Sequence, residues 1–292
     1  MAISFNSLGN LGRLGNQMFQ YAFLLSISNH QNYKIKIPSY KKNENLLPLI
    51  FELNDDIDFN VSSFERFKNE NNFNIVTFDS RILNYSFFCK DVYGYFQSYK
   101  YFDHIYKIVL NNFKFKDNIY EIVKKIISSN NLDLENIFFL HIRGTDYLKK
   151  PDYHFNLDES YYTKALKCFP KNRKCLVFTD DIEYIKNFRF LNNERFIFAN
   201  QLFKSINNKY QSAYELCLMT LCNGGIISNS SFSWWGAYLQ NNHNNIVSPN
   251  KSYWFGYKYK FDASDLIYPS WIQYKPGLFS RIKYKFYSTF KF

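Results

Sequence analysis

The residues of this sequence best suited to chemistry fall in three short stretches: His141-Ile142-Arg143-Gly144-Thr145-Asp146, Thr179-Asp180-Asp181 and Ser228-Asn229-Ser230-Ser231-Phe232. Together they offer a guanidinium, a carboxylate pair and a run of hydroxyls. A nucleoside diphosphate needs such a set: a cation and helix-end N–H groups for the pyrophosphate, and a carboxylate to accept from base or ribose. Each stretch also has a plainer reading. Asp180-Asp181 suits a helix cap, as do Ser230 and Ser231, and His141 at a strand end fits a hydrogen-bonded core histidine. Arg143 resists the plain reading, because an arginine beside a buried strand needs an anionic partner.

The elements that must position these residues alternate from about residue 131 onward. Strands are expected at Ile137 to Ile142, Cys175 to Thr179, Arg195 to Ala199, Gly225 to Ser228 and Asn245 to Ser248, the last ending before Pro249. Between them, helical spacing runs over Leu157 to Phe169 (capped by Asp158), Ile182 to Phe190, the amphipathic Ser212 to Cys222, and Phe232 to Gln240. Strand and helix taking turns with short connections predicts an α/β fold with a parallel, doubly wound sheet. In such a sheet ligands sit outside the carboxyl ends of the strands, where all three stretches fall.

Upstream, Ala2 to Asn6 reads as a strand feeding the glycine-spaced loop Gly9, Gly12, Gly15. A helix over Gln17 to Ser28 and a strand at KIKIP follow. The glycine spacing is not the dinucleotide fingerprint, but Asn16 and Gln17 at that helix start are aimed at a ligand lying between two domains. Residues 41–75, rich in Asn and charge, suggest mixed helix and loop; Asp103 to Ser129 suggests one or two helices. The polar stretch Ser128 to Asn131 marks the expected boundary: a first domain over 1–130, a nucleotide-binding domain over 131–274 and a basic, aromatic tail over 275–292.

Composition narrows the partners. Lys+Arg 36 against Asp+Glu 25 gives +11, a balance that favours polyanions. No zinc spacing, RNA-binding aromatic motif or basic arm is present, so nucleic acid is not expected. Aromatic residues make up 21%, and most of these rings are expected in the core. Cys89, Cys168, Cys175, Cys217 and Cys222 form no C-x-x-C pair, which fits neither a disulfide framework nor a zinc site. The N-terminus lacks the cationic start and apolar run of a signal peptide, no stretch reaches membrane-spanning length, and a cytoplasmic location is expected.

Taken together, the motifs resemble the α-1,2-fucosyltransferases, glycosyltransferase family 11. The resemblance lies in GRLGNQMFQYA (Gly12 to Ala22), GYFQSYKYF (Gly94 to Phe102, with Tyr99 where Glu is usual), HIRGTDY (His141 to Tyr147), FTDD (Phe178 to Asp181), NSSFSWWGAYL (Asn229 to Leu239) and, loosely, SPNKSYWF (Ser248 to Phe255). These blocks come in family order over roughly residues 2–255.

The resemblance implies a GT-B architecture, two Rossmann-like halves facing a central cleft. It also implies an inverting, metal-independent transfer of L-fucose from GDP-β-L-fucose to the 2-hydroxyl of a terminal galactoside, in a bacterial surface glycan or on a lipid-linked acceptor. By position, Arg143 would hold the pyrophosphate with His141 near it, and Asp180 or Asp181 would contact the guanosine. Ser230, Ser231 and Phe232 would lie at the phosphates, and Gly15, Asn16 and Gln17 would reach the donor from the other half. One departure stands out: Gly144 occupies the place of a second arginine usual in the family, unless Lys149, Lys150 or another residue substitutes. That leaves open transfer of another GDP-sugar, or a binding homologue with little catalysis.

The residues themselves also point away from a metal, since Asp180 and Asp181 are adjacent rather than spaced as D-x-D. Departing GDP would then rely on Arg143 and the helix after Ser231. A base is required for the acceptor hydroxyl, with Asp146, Asp152 and Asp158 as candidates; Asp146 equally suits a role fixing Arg143. The tail mixes Arg281, Lys283, Lys285 and Lys291 with Phe279, Ile282, Phe286 and Phe290. It fits either peripheral contact with an anionic membrane or a packed or frayed end.

Overall fold

The computed structural model of the protein describes residues 1–54, 56–68, 77–204, 206, 210–241, 243–259 and 261–290. The chain divides into two compact units, Met1–Asp117 with Ser264–Leu266, and Asn118–Ala263 with Ile267–Phe292. The division falls after the first residue of the helix Asp117–Ser129, so all of that helix but Asp117 belongs with the second unit. Of the stretch 41–75, residues 55 and 69–75 lie outside the described residues, as does Lys291.

The first unit is built on strands β1 (Ala2–Ser4), β2 (Lys34–Lys36), β3 (Glu65–Arg66) and β4 (Lys90–Asp91), all parallel, in the order β2-β1-β4-β3. The loop after β1 turns at Gly9 (φ +99°) and Gly12 (φ +90°), backbone that L side chains rarely adopt. It enters α1 (Leu14–Gln31), which is buried nearly all round, including Met18, Phe19, Tyr21, Phe23 and Leu24. The Phe23 ring stacks on Phe96 at 3.9 Å, and Tyr21 donates to Asn112 at 2.7 Å. The stretch expected to be helix and loop holds the short helix α2 (Leu47–Ile50) and also the strand β3. After β4 come α3 (Tyr106–Asn112) and then α4 (Asp117–Ser129).

Six strands form the second unit's sheet: β5 (Ile137–Ile142), β6 (Lys174–Thr179), β7 (Phe196–Phe198), β8 (Gly225–Ile226), β9 (Ile246–Pro249) and β10 (Ile272–Tyr274). All pairings are parallel, in the order β10-β9-β8-β5-β6-β7. β5 is buried at every position and pairs with β6 along its whole length, as a strand covered on both faces should. The chain lays β6 and β7 on one side of β5, then returns to place β8 on the other. That reversal opens a crevice at the carboxyl ends of β5 and β8, the place where an open α/β sheet binds its ligand.

The connecting helices are α5 (Thr145–Lys149), α6 (Glu159–Ala165), α7 (Ile182–Ile185), α8 (Ala199–Leu202), α9 (Gln211–Leu221) and α10 (Ser231–Tyr238), with α11 (Leu278–Phe290) at the end. Several depart from the expectations. The stretch from Ile182 to Phe190 makes only the single turn α7, followed by a 3-10 turn at Arg189–Leu191. α9 is not amphipathic in use: Ala213, Tyr214, Leu216, Cys217, Leu218 and Met219 are all buried. β9 runs into Pro249, tolerated at a strand end, and is not the last strand, because β10 pairs beside it. Trp234, Trp235 and Tyr238 of α10 are among the largest fully buried side chains, so the rings of that motif are core.

Candidate functional site

The three stretches do converge, at the carboxyl ends of β5, β6 and β8. Arg143 follows β5 with its side chain 13% exposed. Its guanidinium pairs with Asp146 at 2.6 Å and with Asp180 at 2.7 Å, and lies over the Tyr147 ring at 5.4 Å. Tyr147 in turn stacks on His154 at 4.0 Å and donates its hydroxyl to the Asn229 carbonyl at 2.8 Å. Arg143 Nε is buried with no hydrogen-bond partner, an uncommon state for a charged donor and one that invites an anionic ligand.

Asp180 and Asp181 act on the same loop. Asp180 accepts from the Gly144 N–H at 2.8 Å and from the Thr145 hydroxyl; Asp181 accepts from the Thr145 N–H at 3.1 Å. Asp181 also caps α7 by accepting from Tyr184 N–H at 2.9 Å. The helix-cap reading and a site position therefore hold together. Thr145 sits at φ +25°, strained for a β-branched residue, and these two aspartates brace it. Gly144 explains how they come so near: a Cβ there would collide with Asp181. The space where a side chain at 144 would begin is taken by Asp181, from the loop after β6.

On the other side, His141 is buried and its Nδ1 lies 2.8 Å from Ser228 Oγ. Burial, with the Arg143 charge adding to it and Asp180 opposing, pushes its pKa down to about 3. The ring is therefore neutral near pH 7. Phe232 tilts against it at 5.8 Å. Ser230 caps α10 by accepting from Phe232 N–H, and Ser231 is that helix's first residue. Asn229 is structural, donating to the Phe155 and Trp254 carbonyls at 2.8 and 2.7 Å.

Gly15, Asn16 and Gln17 lie in the first unit, at the start of α1. Gln17 is 1% exposed, and its carboxamide donates to the Glu44 carbonyl at 3.0 Å and accepts from Leu46 N–H at 2.9 Å. Its side chain thus holds a loop of its own unit. Asn16 accepts from Gln97 at 2.7 Å, and Gly15 is buried in α1.

The three acids considered as bases differ sharply. Asp158 caps α6 and accepts from Ser160, Ser280 and the N–H groups of Tyr161 and Gly277. Burial works against its charge, yet those hydrogen bonds outweigh it and keep the pKa low, so Asp158 is an anchor. Asp152 pairs with Lys258 at 3.0 Å. Asp146 alone adjoins Arg143. Lys149 and Lys150 are exposed on and just after α5.

Sequence reasoning missed Glu215. It is half-buried on α9, and burial pushes its carboxyl up to about 7, opposed by a 2.8 Å hydrogen bond from Gln211 and reinforced by the Asp180 charge. The available signal was a lone acid within the apolar run SAYELCLMTLC.

Two outcomes follow. Gly144→Arg must displace Asp181, so urea denaturation should show a loss of about 1–3 kcal/mol; an unchanged midpoint would contradict the collision. Glu215 has a folded pKa above its unfolded value, so it lowers stability as pH rises from the ordinary carboxylate range to about 7. Glu215→Gln should therefore stabilise the protein by roughly 1–3 kcal/mol at pH 8 and much less at pH 5. Equal effects at both pH values would show that the carboxyl is not perturbed.

A profile described as Glycosyl transferase family 11 matches residues 3–275. The O-antigen biosynthesis glycosyltransferase WbnK of Escherichia coli is 36% identical over 161 residues, 52% of this chain and 47% of that protein, so the match spans about half of that relative's length. The alpha-1,2-colitosyltransferase of Escherichia coli is 30% identical over 258 residues, 79% of this chain and 86% of that protein. The solved fucosyltransferase NodZ from Bradyrhizobium shares the fold with a TM-score of 0.52 at 13% identity, covering 77% of this chain and 90% of that one. NodZ is also known soaked with GDP-fucose, with a TM-score of 0.50. The two parallel-sheet units are of the GT-B class. With the profile matched over nearly its full length, the chain belongs to glycosyl transferase family 11.

Proposed function

We propose that the protein is an inverting, metal-independent glycosyltransferase. In this reading it moves L-fucose from GDP-β-L-fucose to the 2-hydroxyl of a terminal galactoside, in a bacterial surface glycan of the O-antigen or capsule type. The carrying observation is the buried Arg143 guanidinium at the crevice between β5 and β8, with Nε unsatisfied. The name of the O-antigen biosynthesis relative supports a surface-glycan role, and the NodZ structure soaked with GDP-fucose supports the donor class.

The chemistry follows from the geometry. As the bond from the sugar C1 to the β-phosphate breaks, negative charge grows on GDP. Arg143 and the first N–H groups of α10 can receive that charge. Neutral His141 adds no charge of its own and holds the β5 and β8 ends together through Ser228. When the diphosphate takes over the guanidinium, Asp146 loses its 2.6 Å ion pair while still accepting from the Thr145 hydroxyl, and its carboxylate accepts the proton of the acceptor hydroxyl. That hydroxyl attacks C1 from the face opposite GDP, inverting the β-linked donor to an α product.

A second reading, transfer of another GDP-activated sugar, is favoured by the colitosyltransferase relative and by Gly144 in place of the second arginine.

The test is a transfer assay in excess EDTA with a galactose-terminated acceptor and GDP-fucose, GDP-colitose, GDP-mannose or UDP-galactose, products being identified by mass spectrometry and linkage analysis. The first reading predicts an α-1,2-fucosylated product, a fall in kcat/KM of about 100-fold or more in Arg143→Ala, and a smaller fall in Asn16→Ala. Faster turnover of GDP-colitose would establish the second reading. GDP binding without any transfer would leave only a binding homologue.

A further inference from the structure

The last helix carries a surface that the proposed reaction does not use. α11 is anchored on one side: Ser280 donates to Asp158, Gly277 N–H approaches the same carboxylate at 3.5 Å, and Tyr284 donates to the Phe255 carbonyl at 3.3 Å. The Tyr284 ring packs on Phe155 at 5.1 Å and on Tyr253 at 5.9 Å. The opposite side is apolar and open to solvent. Leu278 is 64% exposed, Phe279 81%, Ile282 58% and Phe286 57%. Leu278, Ile282 and Phe286, spaced four apart, form one stripe with Phe279 beside it.

Charge identifies the partner. Arg281 and Lys285 flank one edge of the stripe and Lys283 the other, and the segment from Lys275 to the end contains no Asp or Glu. Long cationic side chains can lie along apolar surface and place their charges at its rim. Beside the helix is an open groove of about 380 Å³ lined by Ser252, Tyr253, Leu278, Arg281, Ile282 and Lys285. Within it Arg281 Nε is buried without a hydrogen-bond partner. A second copy of the chain fits poorly, since pairing these faces would bring two cationic rims together with no carboxylate on either helix. At 13 residues, α11 is about 20 Å long, and no helix among the described residues is long and apolar enough to cross a membrane.

We propose that α11 docks the protein on an anionic lipid surface, its apolar stripe at the acyl boundary and Arg281, Lys283 and Lys285 among the headgroup phosphates. The helix then lies in the plane of the interface, held to the second unit through Asp158 and Tyr284. This inference does not depend on which sugar is transferred.

The test is cosedimentation of the full chain with phosphatidylcholine vesicles, with and without phosphatidylglycerol. Two triple variants are compared: Phe279→Ser/Ile282→Ser/Phe286→Ser and Arg281→Gln/Lys283→Gln/Lys285→Gln. The substituted side chains face solvent or the groove, and thermal melts check that both variants fold. Binding is expected only with phosphatidylglycerol, weakened by salt and reduced at least tenfold in each variant. Failure of the parent chain to bind, equal binding to neutral vesicles, or binding unaffected by the substitutions would overturn the proposal. So would sedimentation velocity showing a dimer that the serine variant dissolves, which would make a second copy the occupant.

Discussion

The second unit is organised around a burial problem: a guanidinium held, largely buried, at the end of a strand. A charge in that place is costly unless paired. Asp146 arrives from the next helical turn and Asp180 from the neighbouring strand, each within ordinary ion-pair distance of Arg143. The rest of the loop conforms to this requirement. Gly144 has no side chain because Asp181 occupies the space, and Thr145 holds a strained backbone because two carboxylates brace it. Even so, Arg143 Nε is left without a partner. The loop is thus organised around a cation that is paired through its two terminal nitrogens and open at Nε.

Much of this was legible in the sequence, for physical reasons. β5 is a run of six apolar or half-apolar residues buried on both faces, so its limits at Ile137 and Ile142 agree with the pattern. Strict alternation of strands and helices implied the parallel sheet, and the sheet implied which loops would meet. Less was legible where pairing, not periodicity, makes the element. β3 and β4 are two residues each and exist only through pairing, β4 beside β1 and β3 beside β4. β10 follows a proline that reads as a stop, yet finds β9 as a neighbour. The clash that makes Gly144 obligatory joins residues 144 and 181, and no local pattern records it. Glu215 escaped notice because its perturbation comes from burial on a helix that looked one-sided.

Asp158 shows how a residue's chemistry is decided by its surroundings. As a carboxylate near the motifs it was a candidate base. In the fold its oxygens are taken by the start of α6 and by the segment leading into α11. It therefore couples the sheet's helical layer to the tail instead of contacting a reacting hydroxyl. Asp146 differs because it pairs with the Arg143 guanidinium as well as accepting from the Thr145 hydroxyl. Asp158 thus serves the attachment of the tail, while Asp146 belongs to the Arg143 side of the sheet edge.

The central claim is that Arg143 is the seat of the diphosphate, and the most direct measurement is calorimetric binding of GDP and of guanosine to the parent chain and to Arg143→Ala, in EDTA. The account predicts that GDP binds the parent at least tenfold more tightly than guanosine and that the gap collapses in the variant while guanosine binding persists. A gap of the same size in both proteins would contradict it, and would place the diphosphate away from Arg143.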